Sequence, residues 1–237
     1  MLDYNCFVGS WPFRKIRHGT FSDLLRLHAE NGIEGGFVSS SDAVFYNDPY
    51  EGDIDLAREI SGYDNYKLVM TVNPRLSGAV SSIRKGKEEL SAVGVRVFPG
   101  FHRFSLLSDE MRAVAEEVKK NGMTLYITYR VDDERLLYMF EPERVDPSEV
   151  EQFIRENPDL DIMLCCPRTG EVCRMKDTIL QNERVFFDIS GMKDGLFPKE
   201  YLVDDGIIDR LRYGSMAPMF CMKSTVLLFN EELEPRN

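Results

Sequence analysis

The sequence predicts a single-domain (β/α)8 TIM barrel covering residues 1–237. Three observations carry this expectation. Eight β-type apolar runs alternate with helical runs along the chain. The β-type runs are near-continuously apolar, as in a parallel sheet buried under helices. The length of 237 residues suits eight such units, with no composition break to mark a second domain. A doubly wound open sheet is the alternative. It would be favoured by a glycine-rich phosphate loop after the first strand, and neither GxGxxG nor GxxxxGK[ST] occurs.

Each element has its own signal. Residues 2–8 read as a strand broken by Gly9 and Pro12. Thr20 with Asp23 three residues later caps a helix carrying Leu24, Leu25, Leu27 and His28, and Asn31-Gly32 stops it. Residues 33–39 form the second strand, 40–53 a polar loop and 54–61 a helix. The third strand, 66–72, ends at Asn73-Pro74, and 80–90 is helical. The fourth strand is 93–98. Ser108 caps a helix to Lys120 with Met111, Val114, Ala115 and Val118 on one face, and 123–129 is the fifth strand. Pro147 opens a helix at its first turn. Strands follow at 161–166, 185–189 and 211–215. Between them, 169–182 holds one short helix and 198–210 another, and a last helix covers 223–233.

Composition narrows the function. Lys and Arg total 29 against 40 Asp and Glu, a net charge of −11. That balance disfavours nucleic acid and anionic membranes as partners. No apolar run is long enough to cross a bilayer, and the N-terminus lacks a basic and then apolar leader. Five cysteines with no CxxC pair read as buried, reduced thiols of a cytoplasmic protein.

In a barrel the active site lies where strands give way to loops at their C-terminal ends. The run 94–105 shows such a place: a short strand, a Pro-Gly turn, then His102 and Arg103. Strict alternation puts Asp3, Asn5 and Phe7 on one face of the first strand. It likewise pairs Arg96 with Phe98, Thr128 with Arg130, and Asp188 with Ser190. Charges facing the apolar helix layer would cost several kcal/mol, to order of magnitude, so Arg96, Arg130 and Asp188 are expected to point into the mouth.

Four stretches then resemble the amidohydrolase superfamily, in particular its amidohydrolase-2 branch of hydrolases and decarboxylases. Residues 2–9 resemble the opening Asp-x-His-x-His-x-x-Gly strand. Residues 94–99 resemble Gly-[Val/Ile]-[Lys/Arg]-x-x-Pro. Residues 130–135 resemble a fifth-strand segment of the branch, and 213–218 resemble Phe-Gly-[Ser/Thr]-Asp-x-Pro. The resemblance implies a TIM barrel with a metal site, yet the metal histidines fall at Asn5 and Phe7, and the eighth-strand aspartate falls at Met216. The fifth strand ends without a histidine and the sixth in Cys165-Cys166. Three histidines in the chain, His18, His28 and His102, cannot rebuild the set. Zinc or manganese is therefore disfavoured and no cofactor is expected.

Two functions follow. The first is hydrolase-type chemistry, lactonase- or decarboxylase-like, on a small carboxylated or cyclic substrate. His102 and Asp188 would be its acid–base groups, with Asn5, Arg96, Arg103, Arg130 and Arg168 holding an anionic substrate. The second is a barrel without catalysis that binds a small ligand or serves a structural or regulatory role. The first requires Arg96, Arg130, Asp188 and His102 to converge on an open pocket. The second requires a mouth plugged by Phe7, Met216 and neighbouring aromatics. Plainer roles stand beside these: His28 as helix–barrel packing, the cysteines as small buried hydrophobes, and Arg130 with Asp132, Asp133, Glu134 and Arg135 as a solvated salt-bridge cluster. A homodimer is the base-rate expectation for assembly.

Overall fold

Eight parallel strands run in chain order around one sheet, β1 (Leu2–Val8), β2 (Gly35–Ser40), β3 (Tyr66–Thr71), β4 (Gly94–Val97), β5 (Thr124–Thr128), β6 (Ile162–Cys165), β7 (Val185–Asp188) and β8 (Leu211–Arg212). The computed structural model describes residues 1–133, 140–192 and 206–232. The sheet curls until its ends meet: Tyr4 N–H donates to the Tyr213 carbonyl (2.9 Å), Met216 N–H to Asn5 (2.7 Å) and Phe7 N–H to Ala217 (2.7 Å). The expected (β/α)8 barrel is the observed fold.

Helices α1 (Phe21–Glu30), α2 (Pro49–Ile60), α3 (Ala79–Glu89), α4 (Pro99–His102), α5 (Asp109–Lys120), α6 (Pro147–Glu156), α7 (Thr169–Arg174), α8 (Lys176–Gln181) and α9 (Met222–Glu232) connect and follow the strands. Their caps are those the sequence shows. Thr20 and Asp23 form a reciprocal capping box on α1, and Ser108 accepts from Met111 N–H on α5. Two readings need correction. The polar stretch before residue 54 already contains the start of α2, because Asp48 caps it and Pro49 opens it. Residues 169–182 hold two short helices, α7 and α8, rather than one. Of the helix expected at 198–210, Ile207–Arg210 forms a 3-10 turn and the rest lies outside the described residues.

The largest apolar core lies between strands and helices, where outward-facing Val38, Leu68, Val95 and Leu125 meet Leu24, Ile83, Val114 and Phe153. The barrel interior is stacked in three levels. The lowest is apolar and aromatic: Val69, Tyr126, Met163 and Cys165 with Tyr4, Phe37 and Phe186. The middle level is polar and holds Asn5, Ser39, Arg96, Thr128 and Asp188. The top is apolar again: Phe7, Trp11, Val44, Phe98, Val131, Cys166, Met216 and Met219 form one buried cluster.

Strand β1 does not alternate evenly. Its register against β2 shifts between Asp3 and Cys6, where three steps on β1 face two on β2. The Asp3 carboxylate accepts from Asn5 N–H (3.0 Å), which replaces the strand ladder locally. Asp3 therefore turns outward to His28 on α1, while Asn5 and Phe7 meet Arg96 inside. The expectation that Asp3, Asn5 and Phe7 share a face is corrected by this bulge.

Candidate functional site

Arg96 is the centre of the polar level. It comes from β4, has no solvent exposure, and is the largest fully buried side chain among the described residues. Its Nε donates to Ser39 Oγ (2.8 Å), and its Nη1 donates to Asn5 Oδ1 (2.6 Å) and Thr128 Oγ1 (3.4 Å). Its guanidinium lies 4.5 Å from the centre of the Phe7 ring and 5.3 Å from that of Tyr126. Both contacts are cation–π in geometry. Arg96 Nη2 has no hydrogen-bond partner among the described residues.

Asp188, at the end of β7, is equally buried. Asn5 Nδ2 donates to it at 2.6 Å, Ser190 through Oγ (2.6 Å) and N–H (2.7 Å), and Cys166 through N–H (3.2 Å). Burial pushes its carboxyl up to about 6, and these hydrogen bonds oppose the rise. Asn5 thus bridges Arg96 and Asp188: its carbonyl faces the cation and its amide faces the acid. Of the expected site residues, these three are brought together.

The other four are not. His102 sits in α4 rather than on a free loop, and its Nε2 meets the Val44 carbonyl (2.9 Å). Burial holds its pKa down. Arg103 ends α4 in a left-handed conformation, lies 3.9 Å from Glu143 and faces the Phe140 ring. Arg130 forms a forked pair with Glu171 on α7 (2.5 and 2.9 Å) and donates to the Cys166 carbonyl (2.6 Å). Arg168 stands at the start of α7, where its N–H donates to the same Glu171 (2.7 Å).

Above the polar level an apolar cluster of the described residues covers the barrel axis. Phe7 and Met216, at positions where the resemblance places metal ligands, are 1% and 0% exposed and pack with Phe98, Cys166 and Val131. The loop after β1 straps this cluster down. Trp11 Nε1 donates to Asp132 Oδ2 (3.0 Å), and Arg14 donates to the same carboxylate and to the Met219 carbonyl (2.7 Å). Asp132 is 4% exposed, so it is a buried anchor and not part of a solvated cluster. No sequence pattern marks this contact, because Trp11 and Asp132 meet only through the fold.

Beside the plug, a groove of about 580 Å³ opens at the ends of β1 and β2. Lys15, Arg17, Thr20, Asp42, Tyr46 and Glu59 line it. Lys15 and Arg17 make no ion pair among the described residues, so two exposed cations face this space.

The fold and this strand-end layout define a (β/α)8 barrel. No protein-family model matches the sequence, and no curated protein matches it. Solved structures match over nearly the full chain. A putative amidohydrolase from Staphylococcus aureus is 12% identical, with a TM-score of 0.71 over 99% of this chain and 93% of that one. A probable 2-pyrone-4,6-dicarboxylic acid hydrolase from Acinetobacter baumannii, with citric acid bound, is 12% identical, with a TM-score of 0.68 over 99% and 92%. A dihydroxybenzoic acid decarboxylase from Polaromonas sp. JS666, with manganese and an inhibitor bound, is 16% identical, with a TM-score of 0.66 over 92% and 82%. At these identities the likeness is one of fold.

The manganese of that last structure raises the question of whether the barrel mouth here fits a metal. It does not. Phe7 offers no donor, and the Asn5 carbonyl is committed to Arg96. Met216 Sδ, a poor ligand for hard metals, already accepts from Asn5 Nδ2 (3.2 Å). The Arg96 guanidinium supplies a fixed positive charge against both positions where the resemblance places metal histidines.

Proposed function

We propose that this chain is a non-hydrolytic barrel that binds a small anionic ligand, and that the ligand is received in the groove beside β1 rather than on the barrel axis. The observation that carries the reading is the apolar plug. Phe7, Phe98, Val131, Cys166 and Met216 separate the Asn5–Arg96–Asp188 level from solvent. A substrate could reach Asp188 only after several large side chains had left their packing, at about 2–5 kcal/mol each. Lys15 and Arg17 supply exposed cations that would pair with a carboxylate or phosphate in the outer groove, beside the Asp23, Asp42, Asp55 and Glu59 carboxylates that line the same space.

The test pairs turnover with binding. A panel of lactones, carboxylated pyrones and hydroxybenzoates is expected to show no hydrolysis or decarboxylation above background. Carboxylates such as citrate should raise the melting temperature of the wild type, and the rise should vanish in Lys15→Ala/Arg17→Ala. Turnover of any panel member would overturn the reading.

One observation favours the hydrolytic alternative. Arg96 Nη2, without a partner, lies in the same level as an acid titrating at about 6, which pairs an anion receptor with a proton-transfer group. Its signature would be turnover that Asp188→Asn abolishes.

A further inference from the structure

The β1 bulge gathers a second set of chemistry-bearing side chains on the outside of the barrel, under α1. Asp3, Cys6 and His28 are 0%, 0% and 1% exposed, and their donor atoms lie within 4.8 Å of one another. On an evenly alternating strand Asp3 and Cys6 would face opposite sides; the extra residue between them turns both toward His28.

Two of the three donors are oriented from behind. Asp3 Oδ1 accepts from the N–H groups of Asn5 and Ser215, both at 3.0 Å, which leaves Oδ2 directed at His28. His28 Nδ1 lies 2.8 Å from Tyr66 Oη, which leaves Nε2 directed at Asp3. Partners of this kind on the non-ligating atoms fix ligand geometry in metal centres. Asp3 Oδ2 and His28 Nε2 are 3.3 Å apart. That is about the separation of two donors at ~2.0 Å from one tetrahedral zinc ion. Gly36 keeps the place open: a Cβ there would lie 3.1 Å from Cys6 Sγ and 3.3 Å from His28 Cε1.

We infer that Asp3, Cys6 and His28 bind one zinc-type divalent cation that pins α1 to β1. The donor set is one carboxylate, one thiolate and one imidazole, which suits zinc over magnesium or calcium. Its charge also suits burial. A dication with one carboxylate and one thiolate sums to zero, so no net charge is left in an apolar seam. In the metal-free protein Cys6 is a thiol whose Sγ lies 3.5 Å from the Phe37 carbonyl. Binding releases the Cys6 thiol proton to solvent and moves the proton held between Asp3 Oδ2 and His28 Nε2 to His28 Nδ1, where Tyr66 Oη accepts it, with no change of oxidation state. Three protein donors leave one position for water. The site is separate from the barrel mouth, and the proposal does not depend on what the mouth does.

The test uses the full chain purified without chelator, followed by titration of the metal-free protein with Co2+. One equivalent of zinc per chain is expected, together with a cobalt–thiolate charge-transfer band. Cys6→Ser should remove the band and His28→Gln should weaken binding by about tenfold or more. Tyr66→Phe should keep the band and lower the affinity by about tenfold, an effect a mere packing role would not give. Cys221→Ser, at an exposed thiol, should leave the band and the affinity unchanged. A wild type with neither zinc nor a cobalt–thiolate band overturns the site, whatever the variants do. So does a band that survives Cys6→Ser or disappears in Cys221→Ser.

Discussion

Asp188 and Arg96 carry opposite charges in one dry level, and each should report on it separately. Asp188 titrates at about 6 when folded, above its unfolded value near 3.8. The folded state therefore holds the proton more tightly. The stabilisation from that proton is complete below pH ~4 and is lost as pH rises through ~6, a change of about 3 kcal/mol in this group's contribution. Urea titrations from pH 4 to 7.5 should show that fall in the wild type and a flatter profile in Asp188→Asn. An unchanged slope in the variant would assign the pH dependence elsewhere. Arg96→Met would leave Asn5 Oδ1 without its donor and Asp188 without a compensating cation in its level. A loss of about 3–5 kcal/mol is expected from the shift of the urea midpoint. The sequence placed Arg96 and Asp188 inside the barrel because a buried charge on a strand has few places to go, and Asn5 by its position in the first-strand motif. The groups around Arg130 were not legible. Its partner Glu171 comes from α7, in the least legible part of the sequence.

At the level of elements, local rules held where the chain makes its own contacts. The Thr20 box can be read from two letters, and Thr20→Ala should cost about 1 kcal/mol, measured by thermal or urea unfolding. The rules failed at β1. Alternation assumes an even ladder, and the bulge between Asp3 and Cys6 depends on pairing with β2, which the first seven residues do not display. Gly36→Ala is the sensitive probe here. The new methyl would sit at 3.0–3.3 Å from Asp3, Cys6 and His28, tight enough to push the three apart. A loss of about 1–3 kcal/mol is expected in urea unfolding.

For the whole molecule, the barrel was legible because eight repeats of one plan reinforce one another, while the closed mouth was not. Phe7 and Met216 announced missing metal ligands, but whether aromatic neighbours would fill the space or leave a pocket depended on Trp11, Asp132 and Met219 meeting across the axis. The plug makes a global prediction. Phe7→Ala should destabilise the fold by about 3–5 kcal/mol at an unchanged urea m-value, since it empties a site enclosed on all sides. A cost below about 1 kcal/mol would mean the plug collapses freely and the mouth is plastic. The polar level beneath it has another consequence. Strands this uniformly apolar can slide past their neighbours by two residues and still present grease to grease. A slide of that kind would part Asn5 from Asp188 and Arg96 from Ser39, stranding charges with nothing to answer them. The buried arginine and its partners thus act as a key cut for one alignment, telling eight similar strands how far along one another to stop.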